Sequence, residues 1–503
     1  MFSQSRVECP ILRKKIMSAD EAVAFLQDRD TVGMSGFTGA GYPKSIPGAL
    51  VKKAKALQDL GQKFRINLWT GASTAPELDG VLAEVDGISM RLPYQSDPIC
   101  RQQINQGVMD YVDMHLSEVS QYAWSGFLGK LDVAVIEVAA IHADGRIVPS
   151  SSVGNNKTWV EQADKVILEV NDQQSIKLEG MHDIYYGTAL PPNRKPIMIN
   201  TPADRIGEQY LSIPLEKIVA VVETSAPDRN SAFTPPDEVS TQIAEHILDF
   251  FAHEIKAGRL PKELLPLQSG VGNIPNAVLS GLERGGYKNL SAYTEVIQDG
   301  MLHMLKSGTL SVASATAFSL SPVALAELNE NIDFYREKII LRQQDISNHP
   351  EIVRRLGIIA MNGLIEADIY GNVNSTHIMG SRIMNGIGGS GDFARNGSLS
   401  IFMTPSTAKN GAISAIVPMA SHVDHTEHDV KVIVTEQGLA DLRGLSPRQR
   451  AEVVIEKCAH PMYRDRLRDY YERACASKRG MHTPHILSEA LSWHENFETK
   501  GEM

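Results

Sequence analysis

Glu295 is the residue whose type and surroundings most directly indicate chemistry. It lies in Tyr293-Thr-Glu-Val-Ile-Gln-Asp299, inside a predicted apolar strand. A buried carboxylate without a partner is costly, whereas a positioned carboxylate can attack a carbonyl carbon as a nucleophile. The pattern alone leaves three interpretations open: a nucleophile, an exposed glutamate at a strand edge, or one partner of a structural salt bridge.

Two glycine-rich loops accompany this carboxylate, Ser269-Gly-Val-Gly-Asn273 and Ile387-Gly-Gly-Ser-Gly-Asp392. Glycine lets backbone amides approach a ligand closely. The first loop is predicted to open a helix, where unsatisfied N–H groups and the helix dipole favour negative charge. Each loop alone is a weak signal, but two loops in one domain beside a carboxylate favour a reaction that develops negative charge.

Other motifs exclude function classes. The segment Ser421–His428 carries His422, His425 and His428 at every third position, so it could be a metal site or a polar turn. Since it contains no HExxH or comparable zinc signature, we predict no metal. The chain also has no complete Walker loop and no GxSxG elbow, which argues against nucleoside triphosphate chemistry and a serine hydrolase.

The elements around these motifs repeat in the same order. A strand over 31–34, the glycine loop 35–41 and a helix over about 45–56 form one α/β half-unit, preceded by a helix with a capping box from Ser18 to Glu21. The same order is predicted for a strand at 264–268, the loop 269–273 and a helix from about 275. Three more matches follow: 66–73 with 290–295, 143–150 with 368–375, and 165–169 with 431–435. The matches indicate a duplicated α/β domain, although any two α/β domains share some such pieces.

The chain is therefore predicted to hold two tandem, duplicated α/β domains with a cleft between them. The N-terminal domain covers 1–224, a proline-rich linker covers 225–238, and the C-terminal domain covers 239–503 and carries Glu295. A helix begins after the linker, with apolar residues four apart from Val239 to Ile255. A second helix is predicted to open at Ser446-Pro-Arg-Gln449. A cleft between two such domains is a common place for a ligand.

Length and composition limit the partners. The 503 residues carry a formal net charge of −11, which argues against nucleic-acid binding. Four cysteines without a CxxC spacing are typical of free thiols in a reducing compartment. No stretch of 18 uncharged apolar residues occurs, so no membrane span is expected. The first residues lack the apolar core of a signal peptide, so we expect a cytoplasmic protein.

Long runs in this sequence resemble the acetyl-CoA hydrolase/transferase family, and within it the succinyl-CoA:acetate CoA-transferases. The resemblance extends from about residue 10 to the C-terminus. The runs that carry it are SGFTGAGYPK (35–44), TGAST (70–74), LPLQSGVGN (265–273), TEVIQDG (294–300), RQQDISN (342–348), NGIGGSGDFARN (385–396), VPMASHVDH (417–425), TEQGLADLRGLSP (435–447) and CAHP (458–461).

This resemblance implies the CoA-transferase fold, a homodimer and a role for each matching residue. Glu295 matches the nucleophile, the amides of Val271 and Gly389 match an oxyanion hole, and Asn348 and Glu436 match the pair that orients the reacting groups. Arg229 matches a guanidinium that binds a substrate carboxylate, and a structural salt bridge of the linker is the alternative role for it. The positions matching the CoA site are Gln268, Ser269, Gly270, Val271, Gly272, Ile365, Asn385, Gly389 and Lys409. Coenzyme A would be a substrate, with no permanently bound cofactor.

The implied reaction moves CoA between small carboxylates, from succinyl-CoA to acetate, through a covalent intermediate on Glu295. Three alternatives stay open. The same site could exchange propionyl-CoA with succinate, it could let water hydrolyse the thioester as an acetyl-CoA hydrolase, or the chain could be a CoA-binding protein without activity. The presence of the nucleophile, the loops and the orienting pair argues against the last.

Overall fold

The computed structural model describes residues 5–229, 234–477 and 481–503. Its helices, in chain order, are α1 Pro10–Arg13, α2 Ala19–Ala22, α3 Ile46–Asp59, α4 Val81–Glu84, α5 Pro98–Asn105, α6 Val119–Trp124, α7 Asn156–Gln162, α8 Glu238–Lys256, α9 Asn273–Arg284, α10 Asp299–Ser307, α11 Pro322–Glu330, α12 Ile332–Arg336, α13 Gln344–Ser347, α14 Pro350–Leu356, α15 Ser390–Asn396, α16 Pro447–Cys458, α17 Pro461–Ala476 and α18 Ser492–Lys500. Within the described ranges, no helix is both long and apolar enough to cross a membrane.

The strands alternate with these helices along much of the chain. In chain order they are β1 Thr31–Met34, β2 Ile66–Trp69, β3 Ile88–Leu92, β4 Asp110–Tyr111, β5 Val133–Ile141, β6 Ile147–Pro149, β7 Lys165–Asn171, β8 His182–Asp183, β9 Ile218–Thr224, β10 Leu267–Ser269, β11 Leu290–Tyr293, β12 Val296–Gln298, β13 Leu310–Ala315, β14 Ala317–Ser319, β15 Ile339–Arg342, β16 Ile359–Gly363, β17 Glu366–Asp368, β18 Val373–Asn374, β19 His377–Ile378, β20 Arg382–Ile383, β21 Leu399–Met403, β22 Thr407–Ala408, β23 Ile413–Ser414, β24 Ile416–Val417, β25 Val432–Thr435 and β26 Gly438–Asp441.

The chain forms two compact units, and each unit is built from segments that are not contiguous in sequence. The first contains the described residues of 5–229, 292–306 and 310–352, and the second contains 234–291, 307–309, 353–477 and 481–503. The predicted α/β fold is confirmed, and most strand pairs in its two large sheets are parallel. Compact units can differ from the domains that a duplication produced, because a segment of one domain can pack against the other. The linear domains 1–224 and 239–503 therefore stay a prediction. Of the predicted linker 225–238, residues 230–233 lie outside the described part of the chain.

The main sheet of the first unit has the strand order β4-β3-β2-β1-β5-β7-β9, with β6 paired antiparallel to β5. The pairs along this order are parallel. Every residue of β5 is buried, which explains its continuous apolar sequence, since helices cover both faces of a parallel sheet. The glycine loop 35–41 follows β1 at its carboxyl end, as predicted, and α3 follows the loop.

Five strands of the second unit have the order β26-β25-β21-β16-β10, and all neighbours except β25 and β26 are parallel. The succession β10-β16-β21-β25 mirrors β1-β5-β7-β9 of the first unit, which supports a duplication. By position in the sheet, β7 corresponds to β21 and β9 to β25. The predicted match of 165–169 with 431–435 is therefore wrong by one strand, because both are short Lys-Val-Ile runs that local sequence cannot tell apart.

Helix signals in the sequence are mostly accurate. The predicted capping box forms at α2, where Ser18 and Glu21 bond reciprocally. At α16 the side chain of Gln449 accepts a hydrogen bond from the Ser446 N–H at 3.0 Å, as the pattern predicts. In α8 the residues Ile243, Ile247 and Phe251 are buried on one face. Helix ends are less well predicted, since α3 continues to Asp59.

A buried ionic cluster lies behind the first glycine loop. Lys44 Nζ is 2.7 Å from Glu137 Oε2 and 3.0 Å from Asp228 Oδ1, and all three side chains are buried. Burial raises the pKa of Glu137 to about 7 although Lys44 opposes the shift. Burial also opposes the charge of Asp228, but Lys44 and hydrogen bonds from Ser151 and Gln174 hold the pKa of that carboxyl below its usual value.

Replacing Lys44 with methionine is expected to lower the free energy of unfolding by about 3 kcal/mol, because two buried carboxylates lose their cation. Urea unfolding at pH 7.5 measures the change, and the deficit should shrink toward pH 5 as Glu137 becomes protonated. The matched control is Lys52→Met, which breaks only the exposed pair with Asp20 and should cost less than about 1 kcal/mol. Equal stability of Lys44→Met and wild type would contradict a stabilising role for this cluster.

Candidate active site

Glu295 lies at the break between two strands of the first unit. Strand β11 ends at Tyr293 and β12 begins at Val296, so Glu295 follows β11. The prediction that Glu295 lies inside a strand is therefore wrong. Its carbonyl oxygen accepts hydrogen bonds from the N–H groups of Thr316 at 2.9 Å and Ala317 at 3.2 Å. These bonds fix the backbone of Glu295, and its side chain is half-buried.

The side chain of Asn348 contacts the carboxylate of Glu295 directly. Asn348 Nδ2 donates a hydrogen bond to Glu295 Oε1 at 2.8 Å. The Ser347 hydroxyl lies 2.8 Å from Asn348 Oδ1, where it acts as the donor. The amide oxygen of Asn348 accepts this hydrogen bond, because an amide NH₂ group has no lone pair to accept one. The NH₂ group of Asn348 therefore faces Glu295. The Tyr293 hydroxyl donates to the Ile346 carbonyl at 2.7 Å and ties β11 to the same helical turn.

The surroundings of Glu295 raise its pKa to about 7, because burial disfavours the charged form and the hydrogen bond from Asn348 compensates only in part. A carboxylate with a raised pKa is a stronger base and a better nucleophile than an exposed one, and such shifts concentrate at functional sites. Of the three interpretations open from sequence, the exposed edge glutamate does not fit this position. Among the described residues, Glu295 forms no salt bridge.

In the second unit, the loop after β10 is held by the side chain of Gln268. Its Oε1 accepts from the Met361 N–H at 3.0 Å, and its Nε2 donates to Asn362 Oδ1 at 3.1 Å. Gly270 N–H donates to the Met361 carbonyl at 3.2 Å. Gln268 and Ser269 are buried. The side chain of Gln268 is thus used to anchor the loop, while the exposed part of the loop comes after it.

Val271 is the exposed residue of this loop, with 60% of its surface accessible. Its N–H donates to no acceptor among residues 5–229, 234–477 and 481–503. Gly272 follows with φ at +133°, a conformation that strongly favours glycine, and caps the N-terminus of α9. The loop therefore presents an unused amide at the start of a 12-residue helix.

A second unused amide belongs to Gly389. Gly388 adopts φ at +57°, and Gly389 caps α15 with φ at −91°. In the described part of the chain the Gly389 N–H finds no acceptor either. Buried donors without a partner are rare in folded proteins, and Gly389 is buried. Both amides that match an oxyanion hole are therefore available to a ligand.

Glu436 follows β25 and is held by a different set of donors. Its carboxylate accepts hydrogen bonds from the Ser406 N–H at 2.8 Å, from the Ser406 hydroxyl, and from Gln437 Nε2 at 3.0 Å. Burial opposes the charge, but these bonds hold the pKa of Glu436 below its usual value. Glu436 is thus a fixed anion at neutral pH, in contrast to Glu295.

The remaining CoA-site candidates of the second unit differ in exposure. Lys409 is exposed in the turn between β22 and β23, with φ at +51°. Ile365 is half-buried and its N–H donates to the Asn374 carbonyl at 2.8 Å. Asn385 is half-buried ahead of the glycine loop 387–391. Of these three, Lys409 alone carries a positive charge, and it forms no ion pair with residues 5–229, 234–477 or 481–503.

Arg229 is the last described residue before the gap at 230–233, in the first unit. Its N–H donates to the Gly39 carbonyl at 2.9 Å, and its guanidinium forms an ion pair with Glu77. Two-thirds of the side chain is exposed. An exposed arginine that holds one carboxylate in a surface pair can exchange it for another, because such pairs are worth little in water.

Taken together, the first unit holds Glu295, Asn348 and Arg229, and the second unit holds Glu436 and the two loops. Glu295 and Asn348 are in direct contact. Sequence reasoning missed Ser347 and Ser406, which orient Asn348 and Glu436. Ser347 directly precedes Asn348 and could have been inferred, whereas Ser406 is 30 residues from Glu436 and left no signal.

The histidine segment does not assemble as its spacing suggested. His428 is exposed, and His425 is buried with its ring 4.7 Å from Phe402. His377, His422 and Asp424 place possible ligand atoms within 4.8 Å of one another. The carboxylate of Asp424 already accepts hydrogen bonds from the Ser375 N–H and the Thr376 hydroxyl. These bonds explain the cluster without an ion, so the prediction of no metal stays as it was.

Comparison with known proteins agrees with the resemblance found in the sequence. The sequence models of the acetyl-CoA hydrolase/transferase N-terminal and C-terminal domains match residues 4–223 and 325–471. The chain is 51% identical to the succinyl-CoA:acetate CoA-transferase of Clostridium kluyveri, over 100% of this chain and 92% of that one. It is 48% identical to the propanoyl-CoA:succinate CoA transferase of Escherichia coli, over 97% and 98% of the two chains.

Other relatives carry a different name or share only the fold. An acetyl-CoA hydrolase of Neurospora crassa is 44% identical over 99% of this chain and 97% of its own. The crystal structure of RipA from Yersinia pestis has a TM-score of 0.72 at 23% identity, covering 92% of this chain and 98% of that one. Full-length similarity of this degree, together with matches to both domains, shows that the chain belongs to the acetyl-CoA hydrolase/transferase family.

Proposed function

We propose that this protein is a CoA-transferase that exchanges CoA between succinate and acetate, with Glu295 as the covalent carrier. The observation that carries the proposal is the half-buried carboxylate of Glu295 held at 2.8 Å by Asn348. Its pKa of about 7 leaves a large fraction ionised at neutral pH while keeping it basic. The relative from Clostridium kluyveri, named for this reaction, supports the choice of substrates.

The proposed reaction has two halves. The Glu295 carboxylate attacks the thioester carbonyl of succinyl-CoA, and the C–S bond breaks to give a succinyl–glutamyl anhydride and CoA thiolate. The thiolate then attacks the glutamyl carbonyl of the anhydride, which forms a glutamyl-CoA thioester and releases succinate. In the second half, acetate attacks the glutamyl-CoA thioester to give an acetyl–glutamyl anhydride and CoA thiolate. The thiolate then attacks the acetyl carbonyl, which forms acetyl-CoA and regenerates the Glu295 carboxylate, so the thioester energy is conserved.

Each attack produces an oxyanion, and we assign its stabilisation to the N–H groups of Val271 and Gly389. Neither donates elsewhere in the described residues, so neither would have to break a bond to serve a ligand. One preorganised donor of this kind is commonly worth about 3 kcal/mol at the transition state. Asn348 would hold the reacting carboxylate in place, and Glu436 would orient the other reacting groups as a fixed anion.

Substrate binding is assigned to the remaining candidates. Arg229 has a planar fork that suits a carboxylate, and its exposed pair with Glu77 costs little to open. Lys409 would meet a negative group of CoA, while Ile365, Asn385 and the residues Gln268–Gly272 would line the CoA site. Contacts to the nucleotide part of CoA can be used to hold the thioester at the reacting centre. CoA enters as a substrate, and the proposal uses no bound cofactor or metal.

The main rival is hydrolysis, in which water attacks the glutamyl-CoA thioester, and relatives named acetyl-CoA hydrolase keep it open. The deciding measurement is CoA release from succinyl-CoA with and without acetate. We expect acetyl-CoA to form only with acetate. Without acetate, about one succinate per site should be released while CoA stays on Glu295 as the thioester, so free CoA should not accumulate. Steady CoA release without an acceptor would overturn the proposal, and a panel of acids including propionate would separate the second rival, propionyl-CoA:succinate exchange.

Cellular location and assembly are part of the same proposal. Cys9, Cys100, Cys458 and Cys475 are all free thiols, as expected for a protein of the reducing cytoplasm. We propose a homodimer because the family resemblance implies one, and light scattering of the purified protein would test it. We expect neither nucleic acid nor membrane among its partners.

A further inference from the structure

The histidine-rich segment contains one residue that reaches a glycine loop of the proposed site. His425 is buried, and its backbone bonds in both directions to Val373, with His425 N–H at 3.0 Å and His425 C=O at 2.8 Å. Its ring packs against Phe402 at 4.7 Å between centroids. Backbone pairing and ring packing together fix the imidazole, so its Nε2 is a well-defined point in the second unit.

The Nε2 atom of His425 lies 3.2 Å from the Ser390 hydroxyl and 3.2 Å from the Ser375 hydroxyl. Ser390 Oγ is only 2.7 Å from the Ile387 carbonyl, to which it donates its single proton. Ser375 Oγ donates to Asp424 Oδ2 at 3.3 Å. Both serine oxygens must then accept from the imidazole, which assigns the hydrogen of His425 to Nε2.

The Ser390 side chain closes the turn that carries Gly389. Both the N–H of Ser390, at 3.3 Å, and its hydroxyl, at 2.7 Å, donate to the Ile387 carbonyl. Between these two residues the backbone consists of Gly388 and Gly389, which have the widest conformational freedom of any residue. The direction of the Gly389 N–H therefore depends on how firmly Ser390 is held.

We infer that His425 is a positioning residue for the Gly389 amide: its Nε2–H holds Ser390 so that this N–H keeps the direction an oxyanion requires. The inference rests on the proposed function, in which Gly389 is one of two oxyanion donors. This role also explains why His425 is buried although it does not belong to the His377–His422–Asp424 cluster.

The test is a double-mutant cycle of His425→Leu and Ser390→Ala, with kcat and KM measured for succinyl-CoA and acetate. Each single variant is expected to lose about 10-fold in kcat, less than the loss of a whole donor, because the amide remains but points less accurately. KM should change less than twofold, since the donor acts mainly in the transition state. The double variant should be no slower than the worse single one, because both changes release the same turn.

Two further variants separate positioning from mere packing. Glutamine can place an N–H near the position of the imidazole Nε2, so His425→Gln should recover most of the lost kcat, whereas a purely structural role predicts no such rescue. His428→Ala, in the same segment but exposed, should behave as wild type. If His425→Leu fails to fold in a melting experiment, the Ser390→Ala variant still carries the test.

Several results would overturn the inference. Unchanged kcat in folded Ser390→Ala or His425→Leu would do so, as would losses that add in the double variant. Failure of the proposed function looks different, because wild type itself would then show no acetate-dependent acetyl-CoA formation. The wild-type assay is therefore run first, and the cycle is interpreted against it.

Discussion

Glu295→Gln is expected to lose CoA transfer by about 10⁴-fold or more, because an amide cannot form the anhydride that the mechanism requires. Glutamine keeps the size of the side chain and can still accept the 2.8 Å hydrogen bond from Asn348. The measurement is the initial rate of acetyl-CoA formation from succinyl-CoA and acetate. Borohydride reduction during turnover, followed by peptide mapping, should find the adduct on Glu295 in wild type and none in the variant.

The same variant has an expected effect on stability that shows whether it folds. In wild type the folded pKa of Glu295 is raised from 4.5 to about 7, so the folded state binds a proton more tightly than the unfolded state. Wild type therefore loses stability as pH rises from about 4.5 to 7, and glutamine does not. Glu295→Gln should match wild type near pH 4.5 and exceed it by up to about 3 kcal/mol above pH 7.

A matched control changes an exposed carboxylate in the same way. Glu330→Gln, at the end of α11, should leave the transfer rate unchanged. Transfer that survives in Glu295→Gln, or an adduct on another residue, would contradict Glu295 as carrier. An adduct on Glu295 with no gain in stability would contradict only the raised pKa.

Asn348→Ala is expected to lower kcat/KM at pH 7 by about 100-fold, since the carboxylate loses the side chain that orients it. It should also move the acid limb of the pH profile. The ionised form of Glu295 is the nucleophile, so wild-type activity should rise through a pKa of about 7. The Asn348 hydrogen bond lowers that pKa, so its removal should shift the midpoint above 7. The measurement is kcat/KM from pH 5.5 to 9.

Two further variants test whether the shift of the pH profile depends on Asn348. Ser347→Ala removes only the hydroxyl that bonds to Asn348 Oδ1, so it should shift the midpoint in the same direction by a smaller amount. Asn105→Ala, an exposed asparagine of α5, should change nothing. A midpoint that stays in place while the rate falls would mean that Asn348 acts on the substrate and not on the charge of Glu295.

Local signals in the sequence determined a large part of this fold. The capping box at Ser18, the proline and glutamine after Ser446 and the four-residue spacing in α8 are set by neighbours in the chain, so helix starts follow from them. The glycine loops after β1 and β10 are equally local. The order of strands is different, because pairing joins residues far apart, and the match of β7 with β25 failed for that reason.

For the candidate site, the sequence by itself determined which residue types are present: a carboxylate in an apolar segment, two glycine loops and an arginine in a proline-rich linker. Only the tertiary structure decided what each contacts. It placed Glu295 after its strand, brought Asn348 to 2.8 Å across 53 residues of chain, and fixed Glu436 with the distant Ser406. A hydrogen bond and a shifted pKa depend on distance and burial, which a list of residues does not contain until the chain has packed.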